Sequence, residues 1–149
     1  MNLLTDVEFR RISNAVAAGT DDTIDCTIVD MEGYDEVTFV LALGTVTDTS
    51  VVTFQIAQHS TNVSGSMVVS KATSGAITSD GTTIALSNKL IAITVTQPMY
   101  RYLEAQVVRA TANAVIDGVF AILSKARKRP TIQGTTVYSS LVFQSPAAA

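Results

Sequence analysis

Groups that carry much of protein chemistry are scarce in this sequence of 149 residues, which has one cysteine, one histidine and no tryptophan. The lone cysteine, Cys26, excludes an intrachain disulfide and any zinc or iron–sulfur site that needs several thiolates. The lone histidine, His59, excludes sites built from several imidazoles. We therefore expect a protein that is not an enzyme and that holds no cofactor and no metal.

Charge is scarce as well, since charged residues make up 15% of the chain and the net charge is −3. Residues 1–80 carry 11 acidic against 3 basic residues, a net charge of −8, whereas residues 81–149 carry 2 acidic against 7 basic ones, a net charge of +5. Opposite signs predict complementary contacts, either within one fold or between neighbouring copies. A pI of about 4.9 opposes binding to phosphates, so we expect no nucleic acid partner.

Long apolar runs are missing, although the mean hydropathy is +0.32. The longest stretches without charge, Thr49–Ser70 and Pro130–Ala149, are interrupted by Ser, Thr, Gln and Asn. A spanning helix needs about 20 predominantly apolar residues, so we expect no membrane partner. The first residues lack the apolar core and cleavage site of a signal peptide, which predicts synthesis in a cytoplasm.

Thr, Val and Ile are abundant and supply 49 of the 149 residues, a composition typical of β-structure. Apolar and polar residues alternate over Glu36–Leu43, Val51–Gln58 and Arg101–Arg109, which predicts half-buried strands. A shorter alternation within Asp6–Ala18 also favours a strand. Ala114–Leu123 is apolar on both faces, which predicts a central strand covered on both sides. With turn residues between these stretches, the chain predicts an all-β fold, a single antiparallel β-sandwich.

Composition divides the chain into a β-sandwich domain with a short N-terminal arm, residues 1–124, and a basic linker with a C-terminal arm strand, residues 125–149. Thr135–Phe143 is strand-like but follows a linker-like stretch that contains Pro130 and Gly134. A strand tethered in this way can pair with its own domain or with a neighbour's sheet edge. We predict that this arm binds partner subunits through a basic cluster and one aromatic residue, namely Lys125, Arg127, Lys128, Arg129 and Tyr138.

Asp117 is the most unusual residue, because it lies inside the two-sided apolar strand, where an ionised carboxylate is costly unless it is paired. Arg109 and Arg101, at the two ends of the preceding strand, are its natural partners. We therefore predict a buried structural ion pair between Asp117 and Arg109 or Arg101.

Acidic residues concentrate between positions 21 and 36. Their spacing matches neither a pair of catalytic carboxylates nor a calcium-binding loop, and Met31–Asp35 reads as a turn between strands. We interpret this stretch as a solvated acidic rim, with a calcium site and a catalytic pair as the alternatives.

Four segments, Met1–Leu4, Asn14–Thr20, Asp30–Val37 and above all Val108–Val119, resemble a group of small structural proteins of tailed bacteriophages, the capsid decoration or cement proteins. The resemblance covers roughly residues 1–45 and 98–123. It implies a β-sandwich, often jelly-roll-like, that assembles as a dimer or trimer on the outer capsid surface. It also implies that the major capsid protein is the partner and the virion the location.

The resemblance and the residues together predict a structural virion protein that ties neighbouring major capsid subunits together. A carbohydrate- or receptor-binding module of a tail fibre is the alternative, because the same fold supports such sites. Sugar platforms usually stack on exposed aromatic rings, and aromatic residues are only 6% of this chain. Four tyrosines keep the alternative open, namely Tyr34, Tyr100, Tyr102 and Tyr138.

Overall fold

The computed structural model of the chain describes residues 2–142, except the side chains of residues 69–71. The regular elements are α1 (Leu3–Asp6), β1 (Glu8–Ser13), β2 (Val16–Gly19), β3 (Asp22–Asp25), β4 (Val29–Asp30), β5 (Tyr34–Val46), β6 (Val51–His59), β7 (Val68–Thr78), β8 (Leu90–Thr96), β9 (Tyr102–Ala110) and β10 (Ala114–Ala126), with a 3₁₀ turn at Ser64–Ser66. The helix α1 is one turn long. No helix among the described residues has the length and apolar character that a membrane crossing requires.

The strands form two antiparallel sheets that pack face to face. Sheet A has the order β1-β10-β5-β8, and β2 pairs with the other end of β10. Sheet B has the order β3-β9-β6-β7, and β4 pairs with the other end of β9. When β1 and β2 are counted as one interrupted strand, and β3 and β4 as another, this is the strand order of a jelly roll with two four-stranded sheets. The predicted all-β sandwich with a jelly-roll-like topology is confirmed.

The core lies between the inner faces of the two sheets, where the alternating residues predicted from the sequence are buried. Phe39 and Leu41 of β5 face Phe54 and Ile56 of β6 in one continuous apolar cluster, and all four are at most 1% exposed. Burying one such side chain contributes roughly 1.5–3 kcal/mol. Cys26 is buried in the same cluster, as a small core residue.

β10 is central in sheet A, as predicted, but it is not covered on both sides. Its pairing with β5 shifts register between Ile116 and Gly118, so Ile116 and Val119 both face the core although their separation is odd. A bulge of this kind inserts one extra residue and reverses the alternation beyond it. The extra residue is Asp117, which is exposed, and Phe120 beyond it lies on the outer face of the sheet.

The segment after β10 differs from the predicted linker and arm strand. β10 continues to Ala126, and residues 135–142 form no strand, while Phe143 lies outside the described residues. The segment runs along the free edge of β1 and is held by side chains rather than by a ladder. The side-chain oxygen of Gln133 accepts a hydrogen bond from the backbone N–H of Phe9 at 2.8 Å, and its Nε2 donates one to the carbonyl of Val7 at 2.7 Å. One amide side chain thus binds the edge of β1 as a neighbouring strand would, because it both accepts and donates hydrogen bonds as a peptide group does.

Candidate binding surfaces

Arg109 lies at one end of the sandwich, and its side chain is only 4% exposed. The register of β3 with β9 places Asp22 directly opposite Arg109. The guanidinium donates from Nε to Oδ1 of Asp22 at 2.8 Å and from Nη1 to the carbonyls of Ala17 and Ala114, both at 2.7 Å. Gly19 leaves the room for it, since a Cβ there would lie 2.6 Å from Nη2. The bidentate Arg109 side chain holds the pKa of Asp22 below its ordinary value of 3.8.

Arg101 precedes β9 and forms a second bidentate pair. Its Nε and Nη2 donate to the two carboxylate oxygens of Asp30 at 2.7 Å each, and Nη2 also contacts Glu32. The hydrogen bond from Arg101 lowers the pKa of Asp30 and, in return, the Asp30 carboxylate raises the pKa of Arg101. This pair is partly exposed, so it contributes little to folding.

The predicted ion pair of Asp117 is therefore wrong. Arg109 and Arg101 both pair with carboxylates from the first quarter of the chain, and Asp117 is exposed at the bulge. The physical reason is the bulge itself, which turns the carboxylate to solvent and removes the need for a buried partner.

The basic cluster is already engaged within the chain. Lys125 contacts Glu36 at 2.7 Å, Arg127 contacts Asp35 at 2.8 Å, and Arg129 lies 3.7 Å from Asp6. The hydrogen bond from Lys125 lowers the pKa of Glu36. Most of the positive charge that we expected to meet a partner is thus neutralised by acidic residues of the same chain.

The remaining predicted partner-binding residues are exposed. Lys128 has no ion pair among the described residues, and the side chain of Tyr138 is fully exposed. Their role in partner binding stays a prediction.

Most of the acidic stretch forms a rim that is bound by basic side chains. Asp22, Asp30, Glu32, Asp35 and Glu36 each contact a basic side chain. Within residues 2–142, no three His, Cys, Asp or Glu side chains stand close enough together to hold a metal ion.

A cleft of about 520 Å³ opens at the end of the sandwich where β4 leads into β5 and β8 leads into β9. Its wall includes the exposed Met99 and Tyr100, together with the Arg101 and Arg127 ion pairs. Tyr100 also stacks on His59, with ring centroids 6.4 Å apart. The cleft combines apolar side chains with a charged rim, so it can receive a ligand that has both characters.

The outer face of sheet A carries apolar side chains on several strands. The register places Arg11, Phe120, Val40 and Ala92 side by side across β1, β10, β5 and β8. Phe120 is 38% exposed, and the Arg11 guanidinium lies 6.0 Å from its ring centre. A groove of about 300 Å³ on this face has apolar walls from three strands and the C-terminal segment, including Phe9, Val40, Phe120, Ile122 and Val137.

Two features escaped the sequence analysis. One is the outer face of sheet A. The second apolar face of Ala114–Leu123 indicated it, but we interpreted that face as covered within the fold. The other is the buried Glu8, which accepts from the Tyr34 hydroxyl at 2.7 Å and from Arg10 at 2.6 Å. Burial and this carboxylate raise the pKa of Tyr34 to about 12. The Glu8–Tyr34 contact joins residues 26 positions apart, so no local pattern indicated it.

A scan of protein-family models finds no match for the chain, and a search of curated proteins finds none either.

Proposed function

We propose that this chain is a structural virion protein that binds the outer surface of a tailed-phage capsid and joins neighbouring major capsid subunits. The resemblance of residues 1–45 and 98–123 to capsid decoration proteins supports the proposal. The jelly roll supports it as well, because two packed antiparallel sheets present a surface in a fixed shape. We also propose that the protein acts as a homo-oligomer, a dimer or trimer.

The observation that carries the proposal is the apolar outer face of sheet A. Isolated exposed apolar residues are ordinary, but a contiguous apolar patch marks an interaction surface. Here Phe120, Val40 and Ile122 adjoin one another across β5 and β10, and Arg11 lies at their border. Aromatic residues and arginine are the residue types enriched where protein interfaces bind most strongly.

Binding to capsids of the encoding phage, measured by co-sedimentation, tests the proposal. Phe120→Asp should weaken binding by about tenfold or more, because truncating a central aromatic contact costs about 2 kcal/mol and the new carboxylate is desolvated as well. Val63→Asp is the matched control, since Val63 is an exposed apolar residue outside sheet A. The proposal fails if the wild-type chain does not sediment with the capsids, or if both variants bind as it does.

The cleft at Tyr100 supports the second candidate, a receptor- or carbohydrate-binding module. Its exposed Tyr100 ring can stack on a sugar, and the charged rim can bind its hydroxyl groups. Binding to a glycan array that Tyr100→Ala abolishes would favour this function. A wild-type chain that binds no glycan on the array would exclude it for the glycans tested.

A further inference from the structure

The two sheets have four edges, and three of them are protected. The edge of β1 is covered by the C-terminal segment, where Gln133 and Thr136 accept the backbone N–H groups of Phe9 and Arg11. The edge of sheet B beyond β9 consists of two short strands, β3 and β4, of four and two residues. The opposite edge, β7, is irregular, because its pairing with β6 shifts register twice. Short strands and bulges are devices that prevent pairing with another chain.

The fourth edge, β8, has no such protection. β8 pairs with β5 alone in the described part of the chain. Its sequence, Leu90–Thr96, contains no charged residue and no proline. An exposed, uncharged and regular edge strand is a template for another strand.

The ends of the β5–β8 ladder show which backbone groups of β8 point outward. Leu43 donates to the carbonyl of Lys89, and Gln97 donates to the carbonyl of Asp35. Residues of an antiparallel strand alternate between bonding to one neighbour and facing the other side. The odd-numbered residues of β8 therefore bond to β5. The N–H and C=O groups that face the open edge belong to Leu90, Ala92, Thr94 and Thr96.

We propose that two copies of this chain pair through β8, antiparallel and about a two-fold axis at Ile93, so that their A sheets join into one continuous sheet. This arrangement uses all four outward-facing residues. Ala92 of each copy then stands opposite Thr94 of the other, and Leu90 opposite Thr96. This β8 interface rests on the proposed function, because self-association is part of that function.

The strand is its own complement, and this favours a second copy as the partner. In this register Lys89 stands opposite the uncharged Gln97, so no like charges meet. The inward-facing Ile91, Ile93 and Val95 are only half-buried in the single chain, although they pack against the core. The two Ile93 side chains would meet at the axis and cover each other.

Charge placed on the outer face tests the register. Ala92 and Thr94 are exposed, so substitutions there leave the core intact. A92K/T94K places two lysines opposite two lysines across the axis, whereas A92K/T94E places each lysine opposite a glutamate of the other copy. We expect light scattering to show a wild-type dimer at micromolar concentration, at least tenfold weaker dimerisation for A92K/T94K, and recovery in A92K/T94E.

A matched control adds the same charge elsewhere. T83K/A85K places two lysines at exposed positions in the loop before β8, outside the proposed interface, and should dimerise as the wild type does. Circular dichroism checks that each variant keeps its β-structure. A dimer that A92K/T94K leaves unchanged would overturn the β8 interface while keeping self-association.

A disulfide test measures the same register without added charge. I93C places two thiols at the axis, where opposed Cα atoms of a non-hydrogen-bonded pair are about 4.5 Å apart and within disulfide reach. I91C is the control, because its two copies would lie four residues out of register, about 13 Å apart. Cys26 does not compete, since it is buried and burial raises the pKa of its thiol to about 12.

Mild oxidation should crosslink I93C into a covalent dimer and leave I91C a single chain. Equal crosslinking of both variants would overturn the register. A wild-type chain that is monomeric by light scattering would overturn both the β8 pairing and the proposed self-association. If that monomer still sediments with capsids, the proposed capsid binding survives without the dimer.

Discussion

Arg109 shows what a buried cation requires. Its guanidinium is surrounded by one carboxylate and two backbone carbonyls, so each donor group that is removed from water has an acceptor. The carbonyl of Ala17 lies within β2, and the carbonyl of Ala114 lies at the start of β10. Arg109 thereby connects the two sheets at one end of the sandwich. Lysine could not replace it, because an ammonium group lacks the planar fork that binds Asp22 at two points.

Arg109→Ala should lower the free energy of unfolding by about 2–4 kcal/mol, because it leaves two carbonyls and the Asp22 carboxylate without their donor. Asp117→Ala is the matched comparison and should change it by less than about 0.5 kcal/mol, since Asp117 is an exposed residue. Denaturant unfolding measures both. A larger loss in Asp117→Ala than in Arg109→Ala would contradict the assignment of the pairs.

Acid should destabilise the protein through Asp22 and Asp30. Their arginine partners lower both pKa values below 3.8 in the folded chain, so the unfolded chain takes up protons first as the pH falls. The stabilisation is complete above the unfolded value and is lost as the pH falls through the folded value. We expect the melting temperature to fall less between about pH 5 and pH 3 in D22N/D30N than in the wild type. Parallel pH profiles for the two proteins would contradict this.

At the scale of elements, the free edge of β1 is closed by side chains of the segment after β10. Gln133 binds the Phe9 N–H and the carbonyls of Val7 and Leu4, and Thr131 donates its hydroxyl to Val7 at 2.8 Å. Polar side chains thus satisfy an edge that would otherwise be open to another strand.

Gln133→Ala should expose this edge. We expect amide hydrogen exchange at Phe9 to rise about tenfold, since a lost hydrogen bond of about 1 kcal/mol corresponds to several-fold in a local opening equilibrium and the remaining contacts weaken with it. Thr135→Ala is the control, because Thr135 is exposed and, within residues 2–142, makes no hydrogen bond to β1. Unchanged exchange at Phe9 would show that Gln133 does not hold the segment in solution.

The elements also show where a sequence pattern succeeds and where it stops. The alternation over Glu36–Leu43 and Val51–Gln58 predicted β5 and β6 correctly, because one buried face imposes a period of two on the sequence. Ala114–Leu123 predicted a strand correctly but its faces wrongly, because the bulge at Asp117 interrupts the period. Thr135–Phe143 has strand-like composition, yet its described residues pair with no strand.

At the scale of the whole molecule, the charge division between the two parts of the chain is resolved within the fold. Of the seven ion pairs among residues 2–142, six join an acidic residue of the first 80 positions to a basic residue after position 80. The sequence left contacts within one fold and contacts between copies as alternatives. The structure places these pairs within one fold.

Salt should therefore affect folding and leave assembly unchanged. At an ionic strength of about 1 M the Debye length falls to about 3 Å, which weakens exposed pairs that each contribute about 0.2–1 kcal/mol. We expect the free energy of unfolding to fall by no more than about 3 kcal/mol. The mass of the assembled species should stay the same, because β8 pairing depends on backbone hydrogen bonds and apolar side chains. Dissociation at high salt would instead indicate ion pairs between copies.

The class of fold and most of the strands follow from the sequence alone, because alternation and composition are local properties that a strand with one buried face must have. The charge division of the sequence also predicts that opposite charges meet. Which residues meet depends on the folded chain, where Arg109 binds Asp22, 87 positions earlier, and Gln133 binds Phe9, 124 positions earlier. Strand order and register set these contacts. Neither leaves a pattern in the neighbouring sequence, since both depend on segments that come together only in the folded chain.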